Sequence, residues 1–185
     1  TYLSGNKLFI NQKGSYFKNE ENNYFEPGNM GWCWGATFFD FENDGDQDLF
    51  VTNGYNSSYL KTKERNKFYI REKNKFYNFS NKVPEFKETY SRAVSSLDLD
   101  NSGYPDLIVT NLISATSIFK NNTFKKNNWI KIKLKGLKNN SFGVGATITI
   151  ESKGLMPQTK LITCGTNYLT QEDTTLLFGL KTNTE

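Results

Sequence analysis

Two short stretches of the chain crowd oxygen-bearing side chains at regular intervals. The first holds Asp40, Glu42, Asp44 and Asp48 around Gly45; the second holds Asp98, Asp100, Ser102 and Asp106 around Gly103. Both follow the pattern D-x-[DE]-x-[DS]-G-x-x-D. Carboxylates packed this densely repel one another unless a cation sits among them. A hard cation such as Ca2+ takes about six to eight oxygen ligands. Positions 1, 3 and 5 of such a loop turn their side chains inward, and the glycine permits the sharp turn. Position 7 offers a backbone carbonyl, here from Asp46 and Tyr104, and position 9 closes the shell. The expected ligands of two calcium ions are thus Asp40, Glu42, Asp44, Asp46 and Asp48, and Asp98, Asp100, Ser102, Tyr104 and Asp106. An EF-hand begins in the same way but needs a Glu at position 12 and flanking helices. Position 12 is Val51 in one loop and Val109 in the other, and each loop runs straight into a β-prone segment. Plain Asp-Gly turns with solvated acids are the simpler alternative; duplication at matched positions weighs against it.

Other chemistry is excluded or unsupported. The chain has no histidine, which removes a Ser-His-Asp triad, a Cys-His dyad, a His-ligated zinc and a His-ligated haem. Carboxylate pairs can hydrolyse glycosides, but these acids have ion-loop spacing and a bound cation would keep them ionised. No Gly-x-Ser-x-Gly elbow or phosphate loop appears, and Cys164 and Tyr168 lack a partner base. No enzymatic activity is expected. Cys33 and Cys164 fit no metal spacing; they form either one disulfide in an oxidising compartment or two separate buried thiols.

The elements that must position the loops are strands, and they repeat. Leu49-Phe50-Val51-Thr52 and Leu107-Ile108-Val109-Thr110 are short apolar runs following the loops; Ala36–Phe39 and Ala93–Leu97 precede them. The segment Asp40–Asn53 recurs 58 residues later as Asp98–Asn111, and the segment from Asn6 recurs 60 residues later from Asn66. A partial third copy of the second motif begins near Thr116. Each unit reads as strand, acidic loop, strand, longer connection and a further hairpin. Four short strands per repeat of about 60 residues is a propeller-blade rhythm. Helical periodicity is weak throughout, and Tyr59–Phe68 reads as a polar loop.

Gly35-Ala36-Thr37-Phe38-Phe39-Asp40-Phe41-Glu42-Asn43-Asp44-Gly45-Asp46, followed by Asp48-Leu49-Phe50-Val51-Thr52-Asn53-Gly54, resembles an FG-GAP/VCBS repeat, the calcium-loop blade of integrin α-subunit propellers. The second copy is similar, with Ser102 in place of the usual Asp and an unusual Tyr104-Pro105, and is expected to bind calcium more weakly. The resemblance implies a β-propeller, a secreted or cell-surface address, and structural calcium.

A different module follows. Trp129-Ile130-Lys131-Ile132-Lys133-Leu134-Lys135-Gly136 alternates as a half-buried strand does. After it come Gly143–Ile150, Gln158, Cys164–Gln171 and Phe178-Gly179-Leu180. This order resembles the ASPIC/UnbV domain, which follows VCBS repeats in the cartilage acidic protein family and bacterial relatives. Thr170 before Gln171, and Leu177 where the family often has histidine, depart from its pattern. The expected fold class is all-β: a partial β-propeller over residues 1–122 and a small, incomplete β-sheet module over 123–185. Two blades and part of a third cannot close a ring, so a longer native chain or an assembly is expected.

Composition agrees with a folded chain: 36% of residues are hydrophobic and 15% aromatic, more than a disordered tail carries. No apolar run approaches the roughly 18 residues of a membrane-spanning helix, so membrane insertion is not expected. Residues 1–119 carry 13 basic and 15 acidic groups, and residues 120–185 carry 10 and 4; the modest overall charge gives no indication of nucleic acid. The leading expectation is a calcium-stabilised extracellular, cell-surface or periplasmic adhesion module that binds a protein or glycan. One alternative is polyanion binding, to sulfated glycan or lipopolysaccharide, through Trp129, Lys131, Lys133 and Lys135, flanked by Lys125, Lys126 and Lys138; the plainer reading is a solvated sheet face. Another is a non-catalytic accessory part of a larger secreted enzyme. Trp32 and Trp34 form either a sugar-stacking platform or core packing, with packing favoured. The Asn-x-Ser/Thr triplets at Asn56, Asn78, Asn121 and Asn139 are mostly expected by chance in so Asn-rich a chain.

Overall fold

The structure is a computed structural model and describes residues 6–25, 30–123 and 127–184. Lys125 and Lys126 lie outside the described residues. An N-terminal hairpin, β1 (Phe9–Asn11) with β2 (Phe17–Asn19), precedes a one-turn helix, Glu21–Tyr24. Then comes a four-stranded antiparallel sheet in the order β3 (Cys33–Phe39), β4 (Asp48–Asn53), β8 (Lys67–Glu72), β9 (Lys75–Asn78). The expected polar loop before β8 instead carries short extended pairs: β5 (Tyr55–Asn56) with β6 (Lys61–Thr62), and β7 (Glu64–Arg65) with β10 (Glu88–Thr89). A second sheet has three strands: β11 (Ser91–Leu97), β12 (Asp106–Asn111) and β13 (Ser117–Phe119).

The repeat extends to details of the backbone. Cys33 pairs with Asn53 and Ala36 with Val51, with a bulge between them. Ser91 pairs with Asn111 and Val94 with Val109, again with a bulge between. An extra residue leaves an unpaired N–H, which needs another acceptor. In both sheets a threonine hydroxyl accepts it: Thr52 from Gly35 at 2.8 Å and Thr110 from Ala93 at 3.1 Å. Both copies of the Asn66-type motif begin hairpins, β1–β2 and β8–β9. The partial third copy is β13, which pairs with β12 as β8 pairs with β4.

Strand period decides the packing. β4 is buried along its whole length, so alternate residues feed two cores. Phe50 joins Phe39 and Phe68, and these meet Val94, Leu107 and Val109 of the second sheet around Phe86. Leu49 and Val51 point the other way, against Tyr69, Phe76 and the N-terminal residues Tyr24 and Phe25. The first core is aromatic: Phe50 meets Phe86 edge-on at 5.3 Å, and Phe86 meets Phe119 at 4.9 Å. Burying one such ring is worth about 1.5–3 kcal/mol.

The C-terminal module pairs β14 (Asn128–Ile132) with β17 (Leu176–Lys181), and β15 (Thr147–Ile150) with β16 (Gln158–Leu161). Ile132, Leu134, Ile148 and Ile150 pack on Ile162, Leu176 and Phe178. The strand expected to reach Gly136 ends at Ile132, although its alternation continues through Leu134. Cys33 and Cys164 are separate free thiols, the first half-buried and the second exposed. The described residues are thus all-β apart from the short helix and one 3-10 turn at Ser80–Lys82. None of their helices is long and apolar enough to cross a membrane.

Candidate metal centre

Each acidic loop bridges the first two strands of its sheet, and the two loops are wired alike. Asp40 accepts the N–H of Asp44 at 2.9 Å on one oxygen and that of Gly45 at 2.8 Å on the other. Asp98 accepts Ser102 N–H at 2.9 Å and Gly103 N–H at 2.5 Å. At position 9, Asp48 accepts Phe41 N–H and Arg71 N–H, both at 2.8 Å. Asp106 accepts Leu99 N–H at 3.0 Å and Asn121 N–H at 2.7 Å. The last carboxylate of each loop therefore ties the loop start to the third strand of its own sheet or to the second residue beyond it. These bonds hold the carboxylates with about one lone-pair direction per oxygen still unused.

The side chains that converge are positions 1, 3 and 9 in both copies. Carboxylate oxygens of Asp40, Glu42 and Asp48 lie within 4.8 Å of one another, and so do those of Asp98, Asp100 and Asp106. Asp44, expected as a ligand, stands outside its trio: one oxygen accepts Asp46 N–H at 3.0 Å and the other faces Lys181 Nζ at 3.5 Å. The Ser102 hydroxyl accepts Tyr104 N–H at 3.4 Å and stands beside the Asp100 carboxylate. The Tyr104 ring is buried, and its hydroxyl exchanges hydrogen bonds with the Asn127 backbone at 3.0 and 3.1 Å.

Charge separates two otherwise matched loops. In the first, Glu42 Oε2 and Asp46 Oδ1 are buried without a hydrogen-bond partner. Burial, with Asp44 alongside, pushes the Asp40 carboxyl up to about 6 and that of Asp46 to about 7. Burial and the neighbouring Glu42 raise Asp48 further. These shifts mark buried negative charge that Lys160, Arg71 and Lys181 nearby offset only in part. In the second loop, Lys131 reaches Asp98 at 2.7 Å and Lys120 reaches Asp100 at 2.7 Å. The Asp100 carboxyl is lowered by its hydrogen bond to Lys120.

The C-terminal module lies against both loops. Gly179 on β17 faces Asp40 and the Asn43 backbone so closely that a Cβ there would strike them. Gln158 donates to Gly179 O at 2.7 Å, and Lys181 N–H to Asn43 O at 3.0 Å. A 260 Å³ cleft between module and loops is lined by Asp40, Asp98, Lys131, Lys160 and Glu172 among others. The Lys160 ammonium donates to Leu177 O, and burial lowers its proton affinity. Glu172 reaches both first strands, accepting Thr37 Oγ1 and Ser96 N–H, each at 2.7 Å. Asn167 donates to Val94 O at 2.9 Å.

The basic stripe is divided by this docking. Trp129 packs over Gly103, and Lys131 is held by Asp98 and Asn101, whereas Lys133, Lys135 and Lys138 are exposed. Trp32 and Trp34 pack rather than stand free: Trp32 lies 4.2 Å from Tyr55, and Trp34 lies 5.2 Å from Tyr168 with the Arg92 guanidinium over its ring at 4.3 Å. Asn121 is buried and donates to Phe41 O at 2.8 Å, so its triplet is closed to modification in the fold.

Sequence reasoning passed over Asn43, Asn101, Lys160, Asn167 and Glu172. A signal existed for two of them. Asn43 and Asn101 occupy position 4 of each loop with φ of 60° and 56°, a left-handed backbone that asparagine tolerates better than most residues. Asn167 lies inside the quoted Cys164–Gln171 stretch without being singled out there, and Lys160 and Glu172 carry no local pattern.

Among known families, the one described as ASPIC and UnbV matches residues 136–185. The match begins after β14, yet β14 pairs with β17 inside the matched stretch. No curated protein matches the chain.

Proposed function

We propose that this chain is a calcium-stabilised binding module: FG-GAP/VCBS-type propeller repeats over residues 1–122, followed by an ASPIC/UnbV module over 123–185. The observation that carries the reading is the first acidic loop. Its carboxylates Asp40, Glu42 and Asp48 converge, while Glu42 Oε2 and Asp46 Oδ1 stay buried without partners. The donor set is entirely oxygen, as a hard cation requires and a soft one does not. Asp40, Glu42 and Asp48 would hold the ion. The ion would neutralise the cluster and brace β3 against β4 and β8. That role is structural, and no reaction is assigned to it.

Calcium at extracellular levels keeps even modest sites filled, which suits a secreted, cell-surface or periplasmic address. A module braced in this way would present its loops to a protein or glycan. Calorimetric titration of calcium into chelator-treated protein, with melts in both states, tests the reading. Loss of the tight binding class in Asp48→Asn, and a melting temperature raised by calcium in native protein, are expected. Unchanged melts with no heat of binding would sink it.

A further inference from the structure

The second loop has the same backbone wiring as the first but a different charge balance. Lys131 Nζ sits 2.7 Å from Asp98 Oδ2 and donates to Asn101 Oδ1 at 3.1 Å. The pair is withdrawn from solvent: the Asp98 side chain is 2% exposed and that of Lys131 22%. Lys131 arrives on β14, the first strand of the C-terminal module. Its approach is fixed on the same strand by Trp129, which lies over Gly103 where no Cβ could fit. Just before that strand, Asn127 locks to the Tyr104 hydroxyl. The ammonium is thus delivered to the position-1 carboxylate, whereas its counterpart Asp40 feels Lys160 only at longer range, without a contact ion pair among the described residues. Lys120 supplies a second positive charge at Asp100, on an exposed and weaker pair.

We propose that Lys131 is the resident cation of the second acidic loop. It fastens the C-terminal module to that loop and holds a divalent ion out of it, so the two loops are one metal site and one lysine-filled counterpart. An ammonium on a tethered strand has a high effective concentration at its carboxylate. A divalent ion must displace it and expose the buried Asp98 to do so. This inference rests on the calcium reading for its metal half only; the fastening half does not need metal.

The test uses the full chain and calcium alone. Native protein is expected to show one tight class of site and a second at least tenfold weaker. Lys131→Met, which keeps the stem but not the charge, should strengthen the second class at least tenfold, while Lys131→Arg should not. In chelator, Lys131→Met should melt lower than native protein, and saturating calcium should remove most of that deficit. Two equal tight classes in native protein would overturn the inference. So would a second class unmoved by Lys131→Met but strengthened by Ser102→Asp, which would blame the missing ligand instead. If no calcium binds at all, the calcium reading fails and the chelator melts still judge the fastening: Lys131→Met and Asp98→Asn should be strongly non-additive, and additive effects would reject it.

Discussion

The side-chain amide of Asn43 donates to the backbone carbonyl of Gly103 at 2.8 Å, joining position 4 of one acidic loop to the glycine of the other. Asn43 is fully buried and sits at a φ of 60°. Two devices meet in one residue: a backbone that most side chains resist, and a hydrogen bond across the repeat. Asn43→Gly removes the bond and the buried side chain that makes it but keeps the backbone unstrained, and should cost about 1–2 kcal/mol. Asn43→Ala adds the left-handed penalty and should cost about 1 kcal/mol more. Urea denaturation in calcium separates the two; equal losses would show that the backbone carries no strain.

Glu42 offers a test whose sign depends on metal. Its Oε2 is buried without a partner, beside Asp48. Without calcium, Glu42→Gln removes a buried carboxylate whose burial beside Asp48 is unfavourable and should raise the melting temperature by a few degrees, about 1 kcal/mol. With calcium it removes a ligand, so affinity should fall at least tenfold and the melt should drop below native. A change of the same sign in both conditions would remove Glu42 from the coordination shell.

Protons should report on the same loop. Burial first, then Asp44, raises the Asp40 carboxyl to about 6 and that of Asp46 to about 7. A carboxyl with a folded value above its unfolded one contributes stability at pH below the unfolded value, and loses it as pH rises through the folded value. In chelator the protein should therefore melt higher near pH 5 than near pH 8, as far as these groups decide. A metal needs the ionised forms, so calcium affinity should rise from pH 5 to 8, with proton release near neutrality. Calorimetry in two buffers of different protonation enthalpy measures the release; identical heats would mean that these carboxyls were already ionised.

Glu172 tests the docking of the C-terminal module. It accepts from Thr37 on β3 and from the Ser96 amide on β11, and burial raises its proton affinity. Glu172→Ala leaves the Ser96 N–H without its acceptor, at a cost of about 1–3 kcal/mol. Glu172→Gln keeps one acceptor and should cost less than half as much. Limited proteolysis gives an independent readout, since loosening this contact should speed cleavage between the sheets and the module. Equal protection of the alanine variant and native protein would show that the module docks without it.

The sequence by itself determined what lies within a few residues. Nine-residue spacing was enough to predict that Asp40, Glu42 and Asp48, and Asp98, Asp100 and Asp106, converge, because each turn is closed largely by its own N–H groups. Short apolar runs rich in β-branched and aromatic residues, bounded by Asp, Gly and Asn, were enough to place β4 and β12. The 58-residue period carried even the paired bulges. What only the tertiary structure decided lies between segments far apart. Lys131 reads as one tooth of a basic stripe until β14 is laid against Gly103 and its charge is spent on Asp98. Glu172 has no pattern of its own, yet it meets Thr37 from 135 residues away. Asp44 has ligand spacing but stands outside its trio, one oxygen facing Lys181. Local spacing fixes which groups can meet; which charges cancel depends on the surfaces that pack together, and no short stretch of sequence contains both sides of that contact.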